Sequence, residues 1–475
     1  MTHRKAVLLL FPALFAPVAR AQIDSALLSK VSFNLSNTGG KSLAMGGAFT
    51  AIADDATAAL ANPAGLGLLS SVQLGLSGKR FDETIGLVTA TSTATGSLVA
   101  PYPSPRSVNS DITSTTGDLE YAGVVVPVSR RLVAAVTFAE NLRFDGDPGP
   151  DGYPYVEFRD NRSGGVTRRD FLNEYREFGA VSLRNRLLAL TVGYRVTDRI
   201  RVGGGLTLNR TTFDLEGDAG GPHRIVSKTY PNLVSQVTTT TLMRVDGFGG
   251  TQAGFVLGVH ADVLEGGALT AGAVFRSGAK TKGTFALGGT IPPALAGQAS
   301  REFSFSVPRD AAFGLAWHPF PGLTIAAEGQ WIAYSTVFDT PLPVVTYAGL
   351  VNTGFPVDGV LADLTPPKDV VIPRIGFEYV ATSGGVRMAF RVGYHREPAH
   401  GVRADLVARD GSGTPYDIVD PPYSQGVRTV FDGGRGDDRF SGGLGVTLKR
   451  SLSLDIAFDL GRASRVLAAS LFYRF

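Results

Sequence analysis

Strict alternation of apolar and charged residues constrains this chain most. From Val386 to His395, Val386, Met388, Phe390, Val392 and Tyr394 fall on one face of a strand, and Arg387, Arg391 and His395 on the other. Between Pro373 and Tyr379, Ile375, Phe377 and Tyr379 oppose Arg374 and Glu378. Between Leu452 and Leu460, five apolar side chains oppose Ser453, Asp455 and Asp459. A charge on a lipid-facing strand position costs roughly 2–4 kcal/mol for Arg near the midplane, so the polar face belongs to an enclosed lumen.

Fourteen such segments run from Val72 onward: 72–81, 119–129, 131–143, 182–196, 199–213, 250–264, 267–282, 303–318, 322–338, 368–382, 384–397, 437–448, 451–461 and 464–475. Each is about ten to fifteen residues, enough for a tilted strand to cross a bilayer core. Tight turns at Thr197-Asp198, Glu265-Gly266, 319–321, Ser383 and Lys449-Arg450 alternate with long polar segments at 82–118, 144–181, 214–249, 283–302, 339–367 and 398–436. Only the final hairpin at Arg462-Ala463 breaks the rhythm. The fold class expected is all-β: a transmembrane antiparallel barrel of about 14 strands over residues 72–475.

The ends and the composition agree. Residues 1–21 have a basic start, an apolar run from Ala6 to Ala19 and Ala19-Arg20-Ala21 before Gln22, the pattern of a cleaved secretory signal peptide. Without that segment, basic and acidic residues balance at 42 each, so charge points to no nucleic-acid partner. Glycine is abundant at 59 residues, and there is no cysteine for a disulfide or a lipid anchor. The last strand, with Leu467, Ala469, Leu471, Tyr473 and Phe475 on one face, resembles the C-terminal signal read by the barrel-assembly machinery of bacterial outer-membrane proteins.

Residues 22–71 do not alternate and are surplus to a barrel wall. Asp54 is expected to cap a short helix, Asp55 to Ala61, that Asn62-Pro63 terminates; Met45-Gly46-Gly47 reads as a turn. This compact block suits an N-terminal plug folded back into the lumen, with a periplasmic extension as the competing reading.

Three stretches in order resemble the FadL-type outer-membrane transporters of long-chain fatty acids and other hydrophobic compounds. The first holds Gly46-Gly47-Ala48, Ala53-Asp54-Asp55 and Asn62-Pro63-Ala64, similar to that family's hatch. The second is 307–335 (VPRDAAFGLAWHPFPGLTIAAEGQWIAYS); the third is 372–399 (IPRIGFEYVATSGGVRMAFRVGYHREPA), followed by Asp437-Asp438 and the closing hairpins. The resemblance implies passive uptake of a fatty acid or hydrocarbon through a plugged barrel in the bacterial outer membrane, with outer-membrane lipid as surroundings. The first stretch is also similar to a related barrel group that serves protein secretion; the later stretches favour the transporters.

No catalytic constellation appears. The six histidines lack metal-ligand spacing, and the pairs Asp54-Asp55 and Asp437-Asp438 are sequence neighbours, poorly placed for acid–base work. Residues 417–420 lack calcium-loop spacing, and 433–440 (GGRGDDRF) lack the strand-to-helix context of a phosphate loop. Neither enzyme activity nor a cofactor is expected. The candidate substrate-binding set is the lumenal charges: Arg374, Arg387 and Arg391, placed to converge as a carboxylate clamp, with Glu378 and Glu328 as balancing charge; a structural ion-pair lattice is the competing reading. Phe472, Ile332 and Val274 have inward parity and suit an acyl chain.

Overall fold

The computed structural model describes residues 33, 38–91, 106–146, 153–163, 166–177, 180–219, 222–227, 234–238, 241–246, 249–289, 300–337, 360–365, 367–401, 403–409, 415–416, 434, 436–462 and 464–475. The signal-peptide segment, much of 22–37 and residues 417–420 lie outside them.

The strands in chain order are β1 (Gln73–Thr91), β2 (Arg106–Pro127), β3 (Leu132–Gly146), β4 (Tyr153–Ser163), β5 (Val166–Glu177), β6 (Ala180–Arg195), β7 (Ile200–Ala219), β8 (Pro222–Ser227), β9 (Val234–Thr238), β10 (Thr241–Asp246), β11 (Thr251–Asp262) and β12 (Leu269–Arg276). They continue as β13 (Ala279–Gly289), β14 (Ser300–Val307), β15 (Asp310–Trp317), β16 (Leu323–Ile332), β17 (Val360–Thr365), β18 (Val370–Ser383), β19 (Val386–Glu397), β20 (Arg403–Arg409), β21 (Pro415–Tyr416), β22 (Asp437–Leu448), β23 (Leu452–Leu460) and β24 (Ser464–Arg474).

Fourteen of them close an antiparallel barrel in the order β1-β2-β3-β6-β7-β11-β12-β15-β16-β18-β19-β22-β23-β24. β24 returns to β1 along an unbroken register from Gln73↔Arg474 to Glu83↔Ser464. Closure leaves no terminal edge strand, the condition for a sheet to cross a bilayer. The two faces separate as the alternation requires. Ile456 is 51% exposed beside Asp455 at 6%, and Val392 is 58% exposed beside Arg391 at 8%. Exposed aromatics Trp317, Phe320, Tyr379, Tyr473 and Phe475 cluster beside the tight turns, as an interfacial girdle does. No described helix is long and apolar enough to cross a membrane.

Three expectations need correction. Most of 82–118 is wall rather than loop, because β1 and β2 stay hydrogen-bonded to Thr91↔Arg106. Ladder bonds hold a hairpin together whether or not its side chains alternate. The segments 267–282 and 303–318 each break in two, at Ser277-Gly278 and at Pro308-Arg309. Gly278 is left-handed at φ +69°, and Pro308 has no N–H to offer a ladder. Within 144–181 and 214–249, β4, β5, β8 and β9 form a four-stranded sheet; within 339–367 and 398–436, β17, β20 and β21 form another. Pairing between loops requires no bilayer-scale alternation, so these strands carried no signal of that kind.

Residues 38–69 are almost wholly buried. They form α1 (Gly40–Ala44), a turn through Gly46 and Gly47 at positive φ, α2 (Ala58–Ala61) and a 3₁₀ stretch from Pro63 to Leu68. α2 is shorter than expected. Asp55, not Asp54, closes the turn before it, accepting from the Thr57 N–H at 2.8 Å and from its hydroxyl at 2.5 Å. Asp54 instead meets Lys41 at 2.8 Å. Asn62 ends α2 in an extended conformation, and its side chain accepts the Ala64 N–H at 3.2 Å, which starts the 3₁₀ stretch at Pro63.

The outward face predicts its own sensitivity. Ile456→Arg should destabilise the barrel by roughly 2–4 kcal/mol in reversible denaturant unfolding from lipid vesicles. A change below about 0.5 kcal/mol, the usual scatter of a surface substitution, would place Ile456 outside the hydrocarbon layer.

Candidate functional site

Seven inward-facing glycines on seven wall strands receive the N-terminal segment. A Cβ added at Gly193, Gly203, Gly258, Gly272, Gly376, Gly393 or Gly443 would come within 3.0 Å of it. The atoms met are, in that order, those of Leu66, Pro63, Asn62, Thr50, Met45, Gly46 and Ala44. Most are backbone atoms, which cannot swing aside. At Gly193, Gly203, Gly272, Gly376 and Gly393, where backbone atoms of the segment lie within 3.0 Å, glycine is required for close approach of two backbones.

Lumenal side chains complete the contact by satisfying the backbone of a segment too short to satisfy itself. Glu328 accepts the N–H groups of Phe49 at 3.0 Å and Thr50 at 2.9 Å. Asn62 donates to Thr50 O at 2.9 Å and to Val259 O, on β11, at 3.0 Å. Tyr121 donates to Ala56 O at 2.6 Å, and Thr270 to Ala51 O at 2.8 Å. Arg276 donates through Nε and Nη2 to Leu60 O, at 3.1 and 2.9 Å, and through Nη2 to Ala61 O at 2.8 Å. Arg195 reaches Gly67 O at 2.9 Å.

The sequence-derived candidates fall into this arrangement unevenly. Arg391 binds Glu378 at 2.6 Å and Asp455 at 2.5 Å, and Lys41 lies 3.6 Å from the same Glu378. Arg374 donates to Gln330 and to Gly46 O. Arg387 is exposed beside the Ser383 turn. The three arginines do not converge. Their register partners are His395, Glu378 and Thr382, spaced four residues apart along one face. Four strand residues span about 13 Å, so the heads form a column rather than a clamp. Asp54, Asp55, Asn62, Pro63 and Ala64 lie within the buried segment. Arg276, Tyr121, Thr270 and the glycine set were not anticipated. Glycine at inward parity on successive strands was the available signal.

Two further features bear on chemistry. Buried rings of Phe33, Phe305 and Tyr334 cluster toward the long-loop end, with Phe33–Phe305 centroids 5.9 Å apart and Tyr334 stacked on His400 at 3.8 Å. Burial, and then the neighbouring Asp54, push the Asp55 carboxyl up to about 6.

No family profile and no curated protein sequence matches the chain. Solved structures do. The Ralstonia pickettii toluene transporter TbuX aligns at TM-score 0.54 and 16% identity, over 93% of this chain and 99% of that one. A Pseudomonas aeruginosa FadL homologue aligns at 0.54 and 15%, over 94% and 99%. The CymD monoaromatic hydrocarbon channel aligns at 0.52 and 15%, over 94% and 99%. The chain has the FadL-type fold. In this FadL-type barrel the fourteen-strand wall and the buried N-terminal segment together account for nearly every described residue outside the loop sheets.

The close approach at the glycines can be broken selectively. Gly272→Val should displace residues 44–66 while the wall stays closed, read as protease cleavage within that segment beside an intact heat-modifiable barrel band. Resistance equal to wild type would mean that the segment is held elsewhere. The raised Asp55 carboxyl adds a pH dependence. A folded value above the unfolded one favours the buried segment at low pH, and that advantage is lost as pH rises from about 4 through about 6. Asp55→Asn should therefore reduce cleavage relative to wild type at pH 8 and leave it unchanged at pH 4; equal protection at both would remove Asp55 from the account.

Proposed function

We propose that this protein is a conduit rather than an enzyme: a bacterial outer-membrane channel for passive uptake of small hydrophobic compounds, with residues 38–69 as its hatch. In this reading the chain is exported with removal of residues 1–21, and the barrel-assembly machinery recognises β24. The observation that carries it is the occupied lumen. Among the described residues, a segment fitted against seven glycines and bonded to lumenal side chains fills part of the lumen, which supports a route for an apolar solute over a general pore for ions.

The lumenal charges favour an uncharged substrate over a fatty acid. Arg391 is engaged by Glu378 and Asp455, Arg439 by Asp459 and Asp437, and Arg276 by Asp310 and two hatch carbonyls. Guanidiniums so engaged offer a carboxylate little that it does not have to take from an existing partner. Phe33, Phe305 and Tyr334 form a buried aromatic cluster, a chemical character that suits an apolar ring better than a carboxylate. The structural neighbours named as toluene transporter and monoaromatic hydrocarbon channel are consistent with this choice.

Purified protein in planar bilayers should give little steady ion conductance and should retain a neutral aromatic ligand in native mass spectrometry. Large steady conductance without bound amphiphile would end the proposal, and copurification with a large translocon would favour the secretion-associated group. Arg391→Ala should lower thermal stability while changing the affinities for a fatty acid and for a hydrocarbon of equal length alike. A selective loss of acid binding, of about tenfold or more for a charge-assisted contact, would restore the clamp.

A further inference from the structure

A charged side chain at the border of the apolar band stands level with the headgroups of the surrounding lipid, so its partner can come from outside the protein. On β7 the outward positions run Ile200, Val202, Gly204, Leu206 and Leu208 before Arg210. Ten residues separate Ile200 from Arg210. That is about 33 Å along the strand, or roughly 25 Å along the axis of a barrel whose strands tilt by about 40°. An outer-membrane apolar band has about that height, so Arg210 stands at its long-loop border. Arg186 stands at the same level on β6, ten residues before the exposed Val196.

Arg186 and Arg210 are direct register partners, which sets their Cβ atoms about 5 Å apart on the outer face. Both are exposed. Like charges so placed repel each other and call for a counter-charge. Glu140, the partner of Arg186 on β3, supplies one to Arg186 Nε at 3.2 Å, on the side away from Arg210. Among the described residues the Arg210 guanidinium has no ion-pair or hydrogen-bond partner. The next carboxylate on β7, Asp214, is four residues higher, about 13 Å along the strand. Arg184, two residues from Arg186 on the same face, adds a third cation. It meets Asp145 at 3.4 Å, and its Nε has no partner among the described residues. Seven strands away, at the same border, the arrangement is the opposite. Arg396, ten residues beyond Val386, has Asp438 as its register partner, 3.9 Å away.

Directly below the arginine pair the outer face is apolar. Leu188 faces Leu208 and Leu190 faces Leu206, and all four are exposed. Guanidiniums above a bed of leucines match an amphiphile whose phosphate sits above its acyl chains. Two planar forks can bond separate oxygens of one phosphate, which supplies the missing counter-charge.

We propose that Arg186 and Arg210, with Arg184 beside them, form a site on the outer wall for the phosphate of a lipid headgroup, in the leaflet on the long-loop side. The chains of that lipid lie along the four leucines, so free phosphate lacks half of what the site recognises. The site rests on the outer-membrane placement proposed above and not on the nature of the transported solute.

Membrane fractionation comes first: a chain absent from the outer membrane ends that placement and this site with it. Native mass spectrometry of the purified barrel then titrates phosphorylated lipid A, dephosphorylated lipid A and inorganic phosphate. Wild type should hold the phosphorylated lipid. Arg210→Gln should weaken that binding about tenfold, the loss of one charge-assisted contact, and Arg396→Gln should leave it unchanged. Without lipid, Arg210→Gln should be at least as heat-stable as wild type, because a repulsion has been removed; on adding the phosphorylated lipid, wild type should gain more. For a barrel found in the outer membrane, equal binding of the two lipid forms, undiminished binding by Arg210→Gln or displacement of the lipid by inorganic phosphate would overturn the site alone. Should Arg210→Gln not assemble, Arg186→Gln takes its place, with the same loss expected and the same results overturning the site.

Discussion

Two backbones can lie in contact only where neither carries a side chain between them, and the inner surface of this barrel is organised around that exclusion. The glycines of β6, β7, β11, β12, β18, β19 and β22 form a track into which residues 44–66 fit. The track explains why so many small residues in the N-terminal segment are fully buried despite its having little core of its own. It also fixes depth and register, because the glycines stand at defined ladder positions. The hydrogen bonds from Glu328, Asn62, Tyr121, Thr270 and Arg276 then have their acceptors and donors delivered to them.

Charge plays a supporting part. A wall with lipid outside must send its polar residues inward, and a segment packed there excludes the water that would otherwise solvate them. Each charge then needs a partner, since an isolated buried ion costs several kcal/mol. Arg391 with Glu378 and Asp455, and Arg439 with Asp459, meet that need on neighbouring strands. Because the pairs are internal, removing one member is expected to be felt as lost stability before it is felt as lost binding. Arg276 differs in dividing its donors between the wall and the N-terminal segment, which couples the two.

Period-two alternation made the wall legible: Arg391 against Val392 and Asp455 against Ile456 assign faces without any structure. It did not assign distance along the barrel, which is why Arg374, Arg387 and Arg391 read as a cluster although they lie in a column. The break at Ser277-Gly278 was hidden in a continuous apolar-polar run. Inward positions are even-numbered through Arg276 and odd-numbered from Ala279, a one-residue shift that only ladder geometry exposes. The N-terminal segment was recognisable as surplus to the wall, and Asn62-Pro63 marked the end of its helix. Its fit was not legible, because a glycine that admits another backbone looks in sequence like any other glycine of a strand.

The claim on which the rest depends is that residues 38–69 are fixed in the lumen by that fit. Hydrogen–deuterium exchange of the intact protein in detergent measures this directly, since amides bonded within a packed interior exchange only when it opens. The account predicts that Leu43 to Leu66 exchange as slowly as the amides of β23 and β24. Exchange of that segment within seconds, with the wall strands still protected, would contradict it.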